Sequence, residues 1–359
     1  MTDEAKHMAR ALELAALGLN TADPNPRVGC VLVREGRVIG EGWHVRAGEP
    51  HAEANALRAA GGQAPGATAY VTLEPCSHTG RTPPCADALI AAGVARVVCA
   101  SVDPNPQVAG AGIRRLESAG VSVTVGPLAG EARALNAGFF SRFERGRPLV
   151  RLKMAMSLDA RTAPAGGGKA WISGEASRAD VQAWRARSSA VLTGAGTVRV
   201  DDPRLDVRVA YGPWVRQPVR IVLDPQRTCA PDAKIFAAGN ALIFTANDAP
   251  DRPATPVPIE RVRRAARGLN LLAVLERLAA LEINELLVEC GPRLAAGFLE
   301  AGLVDELILY VAPHFLGADA APLAALGGSN MAQPLPRFEF RDQRLIENDL
   351  RLVLTPRMA

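Results

Sequence analysis

His51 and Glu53 stand two apart in H-A-E, and Cys76 and Cys85 follow in E-P-C and P-P-C, each cysteine directly after a proline. One imidazole and two thiolates are the ligands a catalytic zinc takes when it keeps a fourth position open for water. A carboxylate two residues past the histidine, not itself a ligand, suits hydrolytic loss of an amino group from a ring carbon. It can move protons between water and the leaving ammonia. Bound zinc lowers the pKa of its water toward about 7 and so provides a nucleophile at neutral pH. Taken singly, His51 reads as a helix-start residue and either cysteine as a small buried apolar side chain. The H-x-E order together with two Pro-Cys pairs favours the metal. The spacing departs from the usual Cys-x-x-Cys, because Ser77 to Pro84 separate the two cysteines.

The second half offers an anion site. E-L-L-V-E-C-G-P-R-L-A-A-G-F-L reads as strand, glycine turn and helix, which puts the backbone amides around Gly291 to Gly297 at a helix N-terminus suited to a pyrophosphate. No G-x-G-x-x-G follows a strand, so a Rossmann dinucleotide fold is disfavoured. Two echoing segments, D-P-N-P-R-V-G at 23–29 and D-P-N-P-Q-V-A-G at 103–110, read either as turn chemistry alone or as a pair of ligand-binding rims.

The elements that carry these residues alternate. Met8, Leu12, Ala15, Ala16 and Leu19 give residues 3–19 helical spacing, and V-G-C-V-L-V-R-E-G-R-V-I-G predicts a hairpin turning at Glu35-Gly36. Helices are expected from His51 to about Ala60, from about Cys85 to Ala92, and over G-I-R-R-L-E-S-A-G. Strands A-T-A-Y-V-T-L, R-V-V-C-A-S-V and V-S-V-T-V fall between and after them. That order predicts a three-layer α/β domain with a largely parallel sheet. The pattern weakens between 127 and 147, and Gly146 and Pro148 act as breakers, so the domains are expected to be 1–146 and 147–359. Further strands, beginning with L-V-R-L-K-M-A-M-S, and helices make the second domain α/β as well.

Composition excludes several classes. A chain of 359 residues exceeds the roughly 250 to 300 that one hydrophobic core supports. With 48% hydrophobic and 22% charged residues, it is neither disordered, collagen-like nor a coiled coil. No apolar run reaches the roughly 18 residues of a membrane helix, and acids stand where a leader peptide would be basic and then apolar, so a cytoplasmic location is expected. Six cysteines are too sparse for a disulfide framework. Residues 1–146 hold 14 basic and 14 acidic residues, and the remainder holds 27 and 23. That surplus is too weak for a nucleic-acid domain but suits a small phosphorylated ligand or cofactor.

The segment T-L-E-P-C-S-H-T-G-R-T-P-P-C-A-D-A-L-I, with D-P-N-P-R-V-G-C-V-L-V, G-W-H and H-A-E, resembles the bifunctional deaminase-reductase family of riboflavin biosynthesis. The likeness continues through L-K-M-A-M-S-L-D-A-R-T, W-I-S, R-A-R-S, G-T-V-R-V-D-D-P-R-L-D-V-R and V-E-C-G-P-R-L. Where the family usually has S-H-H-G, this chain has Ser77-His78-Thr79-Gly80. The resemblance implies a cytidine-deaminase-like three-layer α/β domain followed by a dihydrofolate-reductase-like α/β domain, with Zn2+ and NADPH as cofactors. It implies that His51, Cys76 and Cys85 hold zinc, that Glu53 moves protons, and that Asn25, His44, Arg81, Asp103 and Asn105 line the pyrimidine and ribose-phosphate pocket. In the second domain it assigns Ala155, Trp171, Thr197, Asp201, Asp224 or Pro225, and the segment Gly291, Pro292, Arg293, Leu294, Ala295, Ala296 and Gly297 to NADPH. Lys153, Lys169, Arg185, Leu205, Arg208 and Glu289 would meet the substrate. Expected partners are a small phosphorylated pyrimidine and further copies of the chain, with neither nucleic acid nor membrane. One rival is a nucleobase or tRNA-editing deaminase with a nonenzymic second domain, which predicts a basic, aromatic-rich first half. The other is a zinc-stapled binding module, for which His78 is the candidate fourth ligand.

Overall fold

The computed structural model describes all residues except 1, 78–82, 167, 169, 210–215, 253, 328–334 and 358–359. The chain divides into two compact units, Met1–Gly146 and Arg147–Ala359.

The first unit runs α1 (Asp3–Ala16), β1 (Gly29–Arg34), β2 (Arg37–Trp43), α2 (Ala52–Ala60), β3 (Thr68–Val71), α3 (Cys85–Ala91), β4 (Arg96–Cys99), α4 (Ala111–Ser118), β5 (Ser122–Val125), α5 (Ala129–Leu135) and α6 (Ala137–Arg145). Thr2 caps α1 by accepting the Ala5 N–H, and Asp3 and Glu4 complement the helix dipole. Glu35 and Gly36 both take positive φ, 52° and 74°, which joins β1 to β2 in a tight hairpin. The sheet order is β2-β1-β3-β4-β5. β1 lies antiparallel to both of its neighbours, β2 and β3, while β2, β3, β4 and β5 all run the same way, so the sheet is largely parallel with one reversed strand. Side-chain alternation cannot reveal strand direction, and the hairpin sets it here. Val31 and Val33 face Met8, Ala11 and Leu14 of α1, while Cys30 and Leu32 face Ala52, Ala56 and Ala60 of α2. The weak pattern at 127–147 folds as two short helices, α5 and α6, whose Phe139 and Phe140 pack with Leu73.

Two glycines set how closely α2 approaches the sheet. A Cβ on Gly40 would lie 2.3 Å from the Ala56 carbonyl oxygen, and one on Gly42 would lie 2.4 Å from the Ala56 nitrogen. The alanine face of α2 therefore rests directly on β2, and this contact fixes the helix whose first turn carries Glu53.

The second unit runs β6 (Leu149–Ser157), β7 (Arg161–Ala163), α7 (Glu175–Arg187), β8 (Ala190–Gly194), α8 (Ala195–Asp201), β9 (Val219–Leu223), β10 (Ala241–Ala246), β11 (Ile259–Val262), α9 (Leu271–Ala280), β12 (Glu285–Glu289), α10 (Pro292–Glu300), β13 (Glu306–Ala312), β14 (Ala321–Pro322), β15 (Phe338–Ile346) and β16 (Asp349–Pro356). Seven strands in the order β11-β10-β9-β8-β12-β6-β13 are parallel, and β16 and β15 add antiparallel to that edge. Leu286 and Val288 point into one core and Leu287 into the other, as the near-continuous apolar runs of a doubly covered sheet require. Arg151, 2% exposed, donates to Glu285 and Glu306 within this sheet. Among the described residues no helix is long and apolar enough to cross a membrane.

Candidate functional site

His51 is the extended N-cap residue of α2, and Cys85 is the first residue of α3. The His51 Nδ1 lies 3.6 Å from the Cys76 Sγ and 3.3 Å from the Cys85 Sγ. All three ligand atoms lie within 4.8 Å of one another, the one such group among the described residues. The Cys85 N–H donates to the Cys76 Sγ at 3.4 Å, and the Ala86 N–H to the Cys76 carbonyl at 3.1 Å, so the start of α3 grips the first cysteine. The hydrogen bond between the two thiols, together with His51, holds Cys76 well below the thiol range, and the same shared proton and burial push Cys85 well above it. One nitrogen and two sulfurs converging at this spacing fit zinc.

Glu53 is 3% exposed on the first turn of α2. Burial, and then the Cys76 charge, push its carboxyl above the ordinary range, which suits a group that must both take and give a proton. The His44 ring packs edge-on against that of His51, with centroids 5.2 Å apart. His44 Nδ1 lies 3.2 Å from the Pro50 carbonyl and Nε2 lies 3.0 Å from the Asn25 Nδ2. Only a neutral ring that donates from Nδ1 and accepts at Nε2 satisfies both partners, and burial pushes His44 toward that form. Asn25 is thus brought to the metal-ligand cluster. Asn136 anchors its loop by accepting the Arg27 N–H at 2.8 Å and donating to the Arg27 carbonyl at 2.9 Å.

In the second D-P-N-P loop, Asp103 Oδ1 accepts the Asn105 N–H at 2.8 Å, and Asn105 Oδ1 accepts the Gln107 N–H at 3.1 Å. Burial raises the Asp103 carboxyl to about 6, with the charges of Glu74 and Cys76 adding to it. Arg81 and His78 lie outside the described residues. The other four cysteines are free thiols, and burial pushes each above its ordinary value.

In the second unit, Lys153 of β6 and Glu289, the last residue of β12, are register partners. Arg185 of α7 donates Nε to Glu289 Oε1 at 2.6 Å and Nη2 to Oε2 at 2.9 Å, and its Nη1 reaches the Asp206 carbonyl at 3.1 Å. Burial alone would raise the Glu289 carboxyl, but Arg185, Lys153 and Arg208 outweigh it and keep the group ionised. Burial lowers the Lys153 ammonium, which Glu289 partly offsets. Gly291 caps α10 two residues beyond Glu289, and a Cβ there would stand 3.8 Å from the Thr197 Oγ1 of α8. Pro292, first in α10, has no N–H, so the free amides of that first turn begin at Arg293.

The remaining expected residues are more scattered. Arg208 is exposed, and its backbone N–H is held by Gln182 Oε1. Leu205 is buried in the core at φ 53°, a strained setting for a leucine. The Asp224 carboxylate accepts the Thr228 hydroxyl at 3.1 Å and the Cys229 N–H at 2.8 Å, so both oxygens serve a turn, beside Pro225. Trp171 is exposed, with the Arg178 guanidinium 4.7 Å from its ring centre. Ala155 is register partner to Tyr310 of β13, and Asp201 ends α8. Lys169 lies outside the described residues. Sequence reasoning passed over Tyr310, whose ring lies 5.6 Å from the Lys153 Nζ and whose hydroxyl donates to Asp180. Its place in the alternating D-E-L-I-L-Y-V-A-P run was the available signal.

A His-Cys-Cys cradle beside a buried carboxylate, joined to an α/β unit with a charged cluster at its strand ends, defines a zinc deaminase fused to a second enzyme. Residues 1–101 match the cytidine and deoxycytidylate deaminase zinc-binding region, and residues 148–352 match the RibD C-terminal domain. The chain is 49% identical over 366 residues to the riboflavin biosynthesis protein RibD of Escherichia coli (strain K12), covering 99% of each. It is 45% identical to that of Haemophilus influenzae, covering 98% of this chain and 96% of the relative. The Acinetobacter baumannii RibD structure superposes with a TM-score of 0.92 at 44% identity, covering 99% of each chain. A deaminase/reductase from Thermotoga maritima superposes with a TM-score of 0.85 at 33% identity over the same share. The chain therefore belongs to the RibD family of bifunctional riboflavin-biosynthesis enzymes, with a cytidine-deaminase-like domain, a dihydrofolate-reductase-like domain, and Zn2+ and NADPH as cofactors. An editing deaminase with a nonenzymic second domain is not favoured, because the second unit matches the reductase half.

Proposed function

We propose that the chain catalyses two consecutive steps on one small phosphorylated pyrimidine in the cytoplasm. The first is hydrolytic deamination of 2,5-diamino-6-(5-phosphoribosylamino)pyrimidin-4(3H)-one, and the second is NADPH-dependent reduction of the ribosyl unit to a ribityl chain. The observation that carries the reading is the convergence of His51, Cys76 and Cys85 beside buried Glu53.

His51, Cys76 and Cys85 would hold zinc, which supplies the Lewis acidity that makes water nucleophilic at neutral pH. Glu53 takes a proton from the attacking water and delivers it to the departing amino group, a task its raised carboxyl pKa favours. Asn25 presents its amide beside neutral His44, and Asp103 and Asn105 contribute a second rim for the ring and ribose phosphate.

In the second unit, NADPH would supply hydride, and the backbone amides after Pro292 with Thr197 would receive its pyrophosphate. Ionised Glu289 would accept ribose hydroxyls, exposed Arg208, whose Nε lies 3.7 Å from Asp206 Oδ1, would fork onto the phosphate, and Lys153 would donate a proton or a hydrogen bond to the opening ribosyl unit. Mass spectrometry of the pyrimidine product tests the order. Without NADPH the product should differ from the substrate only by exchange of the ring amino group for oxygen, one water taken up and one ammonia released, and with NADPH it should also gain two hydrogens. A product reduced but not deaminated would overturn the sequence of steps.

A further inference from the structure

Glu74 stands two residues before Cys76, and its side chain is 4% exposed. Its carboxylate accepts four backbone N–H groups. Oε2 takes Asp103 at 3.2 Å and Gly110 at 2.8 Å, and Oε1 takes Gly112 at 2.9 Å and Ile113 at 3.2 Å. The Glu74 N–H in turn donates to the Ser101 carbonyl at 2.9 Å. A buried carboxylate is costly unless every lone pair is used, and charge-assisted bonds to amides are among the stronger ones.

Three of the four donors belong to the start of α4, where amides lack partners inside the helix and the dipole favours an anion. Gly110, the N-cap residue, has no side chain to supply a cap, and Glu74 supplies it from another segment. A Cβ on Gly112 would stand 1.8 Å from the Pro75 carbonyl oxygen, so α4 rests on the residue between Glu74 and Cys76. The fourth donor is Asp103 itself, which in turn holds Asn105.

We infer that Glu74 is a positioning residue of the deaminase site, clamping the 103–113 segment to the Cys76 segment so that Asp103 and Asn105 meet the pyrimidine at a set distance from Glu53. The inference rests on the proposal that Asp103 and Asn105 contact substrate.

Glu74→Gln in the full-length, zinc-loaded chain tests it, because an amide NH2 then faces two N–H donors. The expected result is a rise in deaminase KM of about ten- to hundredfold, with a smaller change in kcat. Zinc content should be retained, as should reductase activity on pre-deaminated substrate. Unchanged KM overturns the inference, and so does loss of zinc, which would mean that Glu74 acts through Cys76. If the glutamine variant does not fold, Glu74→Asp reads the same quantity: it keeps the anion at the helix start but falls one methylene short of the four donors. Asn105→Ala separates the two claims. Unchanged KM there defeats the substrate-loop proposal, whereas raised KM there with wild-type KM in the Glu74 variants defeats the clamp alone.

Discussion

Arg185 forks onto Glu289 with both guanidinium bonds under 3 Å, 2.6 and 2.9 Å, and this pair closes the strand-end cluster that also holds Lys153. The fork keeps Glu289 ionised and aims its oxygens, a task a point charge does poorly. Arg185→Lys should lower reductase kcat/KM by about ten- to hundredfold, the equivalent of about 1.5 to 3 kcal/mol for a charged hydrogen bond, and leave ammonia release unchanged. Steady-state NADPH oxidation beside an ammonia assay checks it.

Asp103 gives a pH signature. Burial raises its carboxyl from 3.8 to about 6 in the folded protein, so the folded state binds that proton more tightly than the unfolded chain does. Its contribution is fully favourable below 3.8 and is lost as pH rises toward 6. The stability difference between Asp103→Asn and wild type should therefore shift in favour of the variant between about pH 4 and pH 6 and stay level above. Denaturant midpoints across that range test it, and a shift in the opposite direction would contradict it.

Gly42 holds α2 against β2. Gly42→Ala places a methyl 2.4 Å from the Ala56 nitrogen, so the helix must move and carry His51 and Glu53 with it. Overpacking of this kind costs about 1 to 3 kcal/mol. The deaminase rate and zinc affinity should fall together while reductase activity persists, as metal titration and the two assays would report.

Arg151 is buried between Glu285 and Glu306. Replacing only the cation leaves Glu285, 1% exposed, to Arg187 at 3.3 Å. Arg151→Met should destabilise the second unit by about 3 to 5 kcal/mol, because breaking a buried pair strands the remaining charge. Equilibrium unfolding followed by Trp184 fluorescence measures it, since that ring lies 5.8 Å from the Arg151 guanidinium.

The metal cradle is legible in the sequence because each ligand carries its chemistry in its own side chain and the motif preserves their order. The helical pattern also predicts helix starts at His51 and at about Cys85, as the chain folds, but it does not show that the two starts converge so that the three ligand atoms lie within 4.8 Å of one another. Glu74 and Tyr310 are illegible for a different reason. The partners of Glu74 are backbone amides 29 to 39 positions away, which have no residue identity to read. Tyr310 gains its relation to Lys153 only when β13 pairs with β6. Asp224 is a different case: the resemblance assigns it or Pro225 to the cofactor, and the fold adds what the sequence does not show, that its carboxylate accepts the Thr228 hydroxyl and the Cys229 N–H of its own turn.

The central claim is that one chain carries two separable chemistries, with Glu53 moving protons only in the first. Glu53→Gln is the most direct test, measured as ammonia release and as NADPH-dependent reduction of pre-deaminated pyrimidine on the same zinc-loaded sample. The expected result is full zinc content, ammonia release lowered by about two to four orders of magnitude, and reduction at the wild-type rate. Ammonia release near the wild-type rate, or loss of both activities with zinc intact, would contradict it.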